Sequence, residues 1–279
     1  MTVHVIGASG RSGAALCRSL FEDGVPFVPV VRDPGRWAAT GLPGEPRIAD
    51  LEGAGLEPAL AGADRIASCA HARHIPAILA AAPAPARFVF LGSTRKFTRW
   101  PDAHGNGVLA GERALLASGR AGTLLHPTMI YGAEGEDNVR RLAQLLRRLP
   151  VVPLPGGGRA MVQPIHQSDV TRAIRAALAR DCAGPEAIVI AGPEPMPYAD
   201  FVRAVARAAG LASPRIVSIP AGALLALAPL TLLPGLPRIR AAEIRRLLED
   251  KAFDIEPMRA KLGVLPMPLA AGLALTFGT

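Results

Sequence analysis

Three glycines spaced three residues apart stand near the start of the chain and have the spacing of a phosphate-binding turn. Gly7, Gly10 and Gly13 follow an apolar run at 3–6, and a helical apolar pattern begins directly after them. Glycine here allows a sharp turn, a close backbone approach to a pyrophosphate, and tight packing of helix on strand. The N–H groups of the helix start would then face the phosphates. The spacing predicts a dinucleotide site rather than a merely tight turn, with these cofactor contacts: Gly7, Ser9, Gly10, Arg11, Ser12 and Gly13.

Charged residues end the second predicted strand, at 26–31, where the adenosine ribose of a dinucleotide would lie. Arg32 and Arg36, together with Arg11, favour the 2′-phosphate of NADP, because guanidinium groups donate charge-assisted hydrogen bonds to phosphate. Asp33 supports the alternative, NAD, if its carboxylate turns inward to a free ribose hydroxyl. We therefore expect NADP, with NAD as the second choice.

Short apolar strands alternate with helical stretches through the first half of the chain, which is typical of βαβ units and a parallel sheet. The strands are predicted at 47–49, 65–69, 88–91 and 123–126. Ligands of such sheets bind at the carboxyl ends of the strands. The residues at these ends are further predicted cofactor contacts: Asp50, Leu51, Ala70, His71, Pro127 and Met129.

The sequence changes character past Pro150, where a proline- and glycine-rich strand and loop begin. Ser168 is predicted as the N-cap of a helix that ends near residue 179. We predict an α/β fold: a Rossmann-type doubly wound parallel sheet with a small, discontinuous C-terminal lobe. The first lobe would comprise 1–150 with 168–192 returning to it, and the second 151–167 and 193–279.

Three segments resemble the short-chain dehydrogenase/reductase superfamily in its extended or atypical branch: 7–13, 127–132 and 163–170. The last two are similar to stretches of sugar-nucleotide epimerases and dehydratases. The pattern also resembles the nucleotide-binding accessory subunit of respiratory complex I. The resemblance implies that the segment from Pro127 to Gly132 runs beside the nicotinamide, and it implies these substrate contacts: Asn138, Arg141, Arg159 and His166.

The catalytic pair of that superfamily is missing. Its active members use Tyr-x-x-x-Lys on the helix after the fifth strand, with a Ser or Thr at the end of that strand, so that tyrosine and lysine share one helical face. This chain has two tyrosines, Tyr131 and Tyr198, and neither precedes a lysine by four residues. Ser93 and Thr94 are still present at the strand end.

His104 is the candidate substitute for the missing acid or base, because an unperturbed imidazole titrates near pH 6.5. Positive charge beside the cofactor would come from Arg95, Lys96 or Arg99. The glycines at 105 and 107 predict a loose loop around His104, which is a poor platform for precise catalysis. The candidate catalytic residues are the two hydroxyl residues at the strand end, Ser93 and Thr94, together with His104.

An uncharged apolar stretch at 216–237 stands out in the second lobe. Its length would suit a membrane span, but Pro220, Pro229 and Pro234 argue against one continuous helix. We expect a strand and a buried helix of the second lobe; the alternative is an apolar arm touching a membrane, a lipid substrate or a larger complex. The following helix, at 241–250, is predicted to be amphipathic and solvated.

Composition excludes several classes of protein. The net charge of +8 is spread over the 279 residues without a basic tail, so no nucleic-acid partner is expected. Cys17, Cys69 and Cys182 are isolated and lack metal-ligand spacing, so neither disulfides nor a metal site is expected. With the first strand starting at residue 3 and no signal-peptide pattern before it, a cytoplasmic location is expected, with membrane association as an addition.

Two functions fit these residues. The first is an NAD(P)-dependent oxidoreductase or epimerase-like enzyme acting on a small molecule, either sugar-nucleotide-like or lipophilic. The second is a non-catalytic protein that holds NADPH as a structural, sensing or assembly component of a membrane complex. The missing Tyr-x-x-x-Lys favours the second function, and the segments that resemble substrate-lobe motifs favour the first.

Overall fold

The structure is a computed structural model that describes residues 2–53, 55–132, 138–149, 151–227 and 241–278, and the side chains of 225–227 and 241–243 are left out. Its strands, in chain order, are β1 (Val3–Ile6), β2 (Phe27–Val31), β3 (Arg47–Ile48), β4 (Arg65–Ser68), β5 (Arg87–Leu91), β6 (Gly122–Pro127), β7 (Ile130–Tyr131), β8 (Val151–Pro155), β9 (Met161–Val162), β10 (Ile165–His166), β11 (Pro185–Ile190), β12 (Met196–Pro197) and β13 (Arg215–Ile219).

The α-helices, in chain order, are α1 (Arg11–Glu22), α2 (Pro34–Ala38), α3 (Leu56–Leu60), α4 (Ile75–Ala81), α5 (Ala103–Ser118), α6 (Asn138–Arg148), α7 (Gln167–Ala179), α8 (Tyr198–Ala208), α9 (Ala221–Leu227), α10 (Ala241–Arg246), α11 (Glu256–Leu262) and α12 (Leu269–Phe277). Short 3₁₀ turns occupy Ala72–His74, Thr94–Phe97 and Gly156–Gly158.

A seven-stranded sheet in the order β11-β6-β5-β4-β1-β2-β3 forms the centre of the molecule. Every neighbouring pair in it is parallel. The order reverses between β1 and β4, which places the crevice for a ligand at the carboxyl ends of these strands. The predicted α/β fold with a doubly wound parallel sheet is confirmed.

Helices cover both faces of the sheet. On one face, Leu16 of α1 and Ile174 of α7 share a core with Met258 of α11. On the other face, Leu60 of α3, Ile78 of α4, and α5 pack on the sheet. Burial of these apolar side chains stabilises the fold by roughly 25 cal/mol for each Å² removed from water.

A second, smaller core lies beyond the sheet and is built from α6, α8 and α12 around Tyr131. Strand β8 pairs with β13 in parallel, and β9 pairs with β12 in antiparallel orientation. Strands β12 and β13 thus pair with β9 and β8, which come earlier in the chain after β6. These pairs belong to the smaller lobe beside the main sheet.

The helix after β5 corrects one prediction from sequence. We expected a loose loop at residues 104–107, but these residues lie inside α5, and the Asp102 carboxylate caps the helix by accepting from the Gly105 N–H at 2.8 Å. A Cβ on Gly111 of the same helix would lie 2.1 Å from the carbonyl oxygen of Ala72. Gly105 and Gly111 are therefore packing positions that let α5 approach neighbouring backbone, while Gly107 packs against the His71 and Arg73 side chains.

Two further local predictions are wrong. The N-cap of α7 is His166 and not Ser168, because the His166 Nδ1 accepts from the Ser168 N–H at 3.2 Å. The helix expected at 241–250 ends at Arg246, and Glu249 behind it is buried instead of solvated.

The apolar stretch at 216–237 begins in β13 and continues through α9 to residue 227; its remainder lies outside the described residues. Val217 of β13 retains 36% of its surface exposed. Among the residues that the structure describes, no helix is long and apolar enough to cross a membrane.

Candidate functional site

The glycine turn after β1 has the geometry that its spacing predicts. Gly7 has φ +74°, a value that favours glycine, and α1 begins four residues later at Arg11. A Cβ on Gly13 would lie 2.1 Å from the Gly7 carbonyl oxygen, so only glycine allows this contact between helix and turn. The N-cap Gly10 brings no capping side chain, which leaves first-turn N–H groups of α1 for a ligand.

A cavity of about 450 Å³ opens at this turn, along the carboxyl ends of β1, β2 and β4. Its lining includes these predicted cofactor contacts: Gly7, Ser9, Gly10, Arg32, Arg36, Asp50, Leu51 and Ala70. We refer to it as the first cavity. Arg11, Ser12 and Gly13, which begin α1, are outside its lining.

The end of β2 presents two arginines and one acid to the first cavity, and the acid also caps the next helix. Asp33 Oδ1 accepts hydrogen bonds from the N–H groups of Gly35 at 2.9 Å and Arg36 at 3.2 Å, so its carboxylate caps α2. Arg32 and Arg36 are both exposed and line the cavity. Asp33 lines the cavity beside them, so charges of both signs stand where the adenosine ribose would lie.

A second cavity, of about 510 Å³, opens between the ends of β5 and β6 and the wall of the smaller lobe. All three candidate catalytic residues line it, as does Met129. The smaller lobe contributes the residues that sequence reasoning did not select: Val162, Gln163, Tyr198, Arg246, Leu247, Glu249, Asp250, Lys251 and Phe253.

His104 stands in the first turn of α5, against a second histidine. Its ring centroid lies 4.4 Å from that of His71, and the two rings meet edge to face at 89°. Burial lowers the pKa of His104, the Arg95 charge lowers it further, and Asp102 opposes both. Burial together with the neighbouring His104 lowers the pKa of His71 to about 4, so both imidazoles are neutral at pH 7.

An ion pair fixes the segment that enters α5. The Arg95 guanidinium donates to the Asp102 carboxylate, with the Nε to Oδ2 distance at 2.7 Å. The same carboxylate also caps α5, so Asp102 is held both by the Arg95 guanidinium and by the first turn of the helix that carries His104. The result is a rigid setting for the imidazole, contrary to the expected loose loop.

Behind Ser93 lies a buried chain of polar groups. The Ser93 N–H donates to His126 Nδ1 at 3.2 Å, His126 Nε2 lies 3.4 Å from the Glu112 carboxylate, and that carboxylate accepts from Lys96 Nζ at 2.6 Å. Burial lowers the pKa of His126 to about 4. Lys96 is therefore committed to Glu112, and Ser93 is held through His126.

The hydroxyls of Ser93 and Thr94 are placed by backbone contacts. Ser93 Oγ accepts from the Arg95 N–H at 3.1 Å, and Thr94 Oγ1 donates to the carbonyl oxygen of Pro127 at 3.2 Å. Pro127 itself ends β6, so the predicted strand-end residues from β5 and β6 meet here.

Neither tyrosine reproduces the usual catalytic position. Tyr131 is 1% exposed, and its hydroxyl fills the space where a Cβ on Gly272 would stand, at 2.2 Å. Tyr198, by contrast, lines the second cavity from the smaller lobe, and burial raises its pKa. One turn after His104, where the lysine would stand, is Val108, a buried apolar residue.

The four substrate contacts implied by the resemblance are outside the lining of both cavities. Asn138 Nδ2 donates to the carbonyl oxygen of Ile130 at 2.6 Å, and Arg159 Nε donates to that of Gly156 at 3.2 Å. His166 is buried against Tyr131, with ring centroids 5.2 Å apart. Arg141 lies in α6.

No protein-family model and no curated protein matches the sequence. Solved structures do match the fold over the whole chain. The UDP-glucuronic acid 4-epimerase of Bacillus cereus, in complex with UDP-glucuronic acid and NAD, has a TM-score of 0.74 at 17% identity, covering 100% of this chain and 98% of that chain.

Two oxidoreductase structures are similar to the same extent. The NADPH-dependent quinone oxidoreductase of Escherichia coli, complexed with NADPH, has a TM-score of 0.75 at 19% identity, covering 98% of this chain and 99% of that chain. A short-chain dehydrogenase/reductase superfamily protein of Agrobacterium tumefaciens with bound NAD has a TM-score of 0.72 at 17% identity, covering 98% and 94%. The chain therefore shares the fold of these solved structures, one of which is a short-chain dehydrogenase/reductase superfamily protein, as the resemblance predicted.

Proposed function

We propose that this chain is an NAD(P)-dependent oxidoreductase that binds the dinucleotide in the first cavity and a small organic substrate in the second. The observation that carries the proposal is the contact between His71 and His104. Ala70, next to His71, lines the first cavity, and His104 lines the second. A ligand reaching along the strand ends from the glycine turn would arrive beside an imidazole and two hydroxyls.

The residues of the first cavity fit a dinucleotide. The close packing of Gly13 on Gly7 and the uncapped start of α1 are what a pyrophosphate requires, because they bring unpaired N–H groups to the phosphate oxygens. Ser9, Gly10, Arg11 and Ser12 would hold the pyrophosphate. Asp50 and Leu51 would contact the adenosine half, while Ala70, His71, Pro127 and Met129 would line the path to the nicotinamide.

We favour NADP over NAD because of Asp33. One oxygen of its carboxylate is engaged in capping α2, whereas Arg32 and Arg36 line the cavity with exposed guanidinium groups. A ribose 2′-phosphate would complement those charges, and NAD would leave them without a ligand partner.

When bound, the nicotinamide supplies or accepts the hydride. His104 exchanges the proton: as a neutral imidazole it takes the proton of a substrate hydroxyl during oxidation, and it returns that proton during reduction. Ser93 and Thr94 orient the substrate oxygen. The hydrogen bond from the Ser93 N–H to the buried His126 holds the strand end that carries both hydroxyls.

A second candidate function is retention of NADPH without chemistry, as a structural or sensing component of a membrane assembly. The specific observation in its favour is the buried Val108 where a catalytic lysine would stand. The exposed Val217 at the start of the apolar stretch would serve as part of a contact surface.

Mass spectrometry of the nucleotide released from freshly purified, denatured protein is the first test, followed by titration with NADPH and NADH. Freely exchanging cofactor, together with oxidation of NADPH by an added carbonyl substrate, supports the oxidoreductase. Retained NADPH that does not exchange supports the holding function. Absence of affinity for either nucleotide contradicts both.

A further inference from the structure

The second cavity has an electropositive wall formed by the smaller lobe and the segment after β5. Two cationic side chains of this wall, Lys251 and Arg99, line the cavity beside Arg246 and Arg95. The carboxylates in the same lining are Glu249 and Asp250. The argument depends on which of these charges are already committed to the protein's own groups.

Both carboxylates already accept hydrogen bonds from the protein. Glu249 Oε1 accepts from the Arg99 N–H at 2.5 Å and from the Thr98 hydroxyl at 2.7 Å. Asp250 Oδ1 accepts from the Met161 N–H at 2.9 Å. Both acids therefore hydrogen-bond to other parts of the wall. Among the described residues, no carboxylate lies within hydrogen-bonding distance of the Lys251 ammonium or the Arg99 guanidinium.

Lys251 is a partly buried cation that retains N–H donors without an acceptor among the described residues. Its Nζ donates to the carbonyl oxygen of Arg246 at 2.9 Å, and this is its only side-chain hydrogen bond to the described residues. An ammonium has three N–H groups, so two remain. Burial lowers the pKa of Lys251, Glu249 raises it, and Arg246 and Arg95 lower it again. The Arg99 guanidinium is exposed at the cavity and has no ion pair with any described residue.

The remainder of the lining includes an apolar part beside its hydroxyl and amide groups. The rings of Phe97 and Phe253 lie 5.6 Å apart, and Leu247 and Met129 add aliphatic surface. Unfilled cationic donors beside an apolar surface suit a ligand with an anionic head and an apolar body, because each part finds its complement there.

We infer that the second cavity takes an amphipathic carboxylic acid as substrate, with its carboxylate on Lys251 and Arg99 and its apolar chain against Phe97 and Phe253. The inference rests on the proposed function, since it names the class of molecule on which that site would act. A carboxylate accepts two or more charge-assisted hydrogen bonds, which a neutral substrate of the same shape would not accept as strongly.

Calorimetric titration of the full chain saturated with NADPH tests this inference with two probes, octanoate and its neutral counterpart octanamide. We expect octanoate to bind about tenfold more tightly, as hydrogen bonds to charged groups allow. Lys251→Gln and Arg99→Gln should each remove most of this preference, because octanoate loses a charge-assisted hydrogen bond that octanamide makes only weakly. Lys261→Gln, a change at a lysine outside the cavity lining that pairs with Glu186, is the matched control.

The inference is overturned if octanamide binds as tightly as octanoate, if neither probe binds, or if both variants keep the wild-type preference. Arg99→Gln alters an exposed side chain and guards against a fold defect in Lys251→Gln. Because the titration reads binding and not hydride transfer, a protein that binds octanoate but never oxidises NADPH contradicts the proposed function alone.

Discussion

The carboxylate of Glu249 accepts a hydrogen bond from the backbone N–H of Arg99 at 2.5 Å, across 150 residues of sequence. This contact fastens the smaller lobe to the segment that follows Ser93 and Thr94. The same oxygen accepts from the Thr98 hydroxyl, so a single buried acid satisfies two donors of that segment. The segment after β5 and the smaller lobe both line the second cavity, and this contact joins them.

Glu249→Ala should therefore destabilise the protein. It removes the carboxylate that accepts from the Arg99 N–H and the Thr98 hydroxyl, and a hydrogen bond to a charged group is worth roughly 1.5–3 kcal/mol. Urea denaturation would measure the loss in the free energy of unfolding. Glu45→Ala, at an exposed acid, is the control and should change stability little. Equal effects of both substitutions would contradict the role given to Glu249.

Gly10→Val should abolish dinucleotide binding while the fold persists. The Cβ would lie 3.1 Å from the Gly7 carbonyl oxygen, and the branched side chain would extend toward the pyrophosphate. Gly184→Ala is the matched control, because no atom lies within 4 Å of its Cβ position. Fluorescence titration with NADPH measures the affinity, and retained affinity in a folded Gly10→Val variant would rule out the first cavity as the cofactor site.

Arg32→Ala should lower the affinity for NADPH far more than that for NADH. The substitution removes a guanidinium from the proposed 2′-phosphate site, where a charge-assisted contact is worth about tenfold in affinity. Arg207→Ala changes an exposed arginine that is in neither cavity lining and should leave the ratio of the two affinities as it was. An unchanged ratio in Arg32→Ala would assign the 2′-phosphate elsewhere or favour NAD.

His104→Gln should keep nucleotide affinity and lose turnover by about 10²–10⁴-fold, the usual contribution of a general base. In the wild type, oxidation needs the neutral imidazole, so kcat/KM should rise with pH through the His104 pKa, below its ordinary 6.5, and then level off. Steady-state rates between pH 4.5 and about 8 would record this rise. A variant with the wild-type rate and profile would exclude His104 as the base.

His126→Asn should make stability less sensitive to acid. The pKa of His126 is about 4 in the folded protein and about 6.5 when unfolded, so the unfolded chain binds the proton first. Stability from this group is complete above pH 6.5 and is lost as the pH falls toward 4. Thermal melts across that range should show a shallower decline for the variant, whose amide oxygen still accepts from Ser93. If the stability of the wild type and that of the variant fell equally with pH, His126 would not be the group responsible for the acid sensitivity.

The first cavity was predictable from sequence because its determinants are local. Gly7, Gly10 and Gly13 specify strand, turn and helix within a dozen residues, and strand ends in a parallel sheet meet at one edge. The role of Asp33 was open, since an acid after β2 either caps the next helix or faces the ribose. The hydrogen bonds to Gly35 and Arg36 show that it caps the helix, a contact that the sequence did not decide.

The second cavity could not be predicted in the same way. Lys251 and Phe253 reach it from a part of the chain far from Ser93, and no spacing in the sequence relates them. The prediction of a loose loop at Gly105 and Gly107 was wrong because, in sequence, a helix glycine that packs closely on another segment looks the same as one that breaks a helix. The partner that decides between them, such as the Ala72 carbonyl beside Gly111, lies on another element.

The shared core of β1 and α11 has a consequence for biosynthesis. Val3 and Val5 are packed in the same apolar cluster as Met258 and Leu262. A ribosome makes the first strand long before the helix that completes its cover, so part of this sheet face stays open to solvent and to chaperones until residues 258–264 have emerged. The N-terminal strand is thus incompletely covered for most of the time the chain is being made.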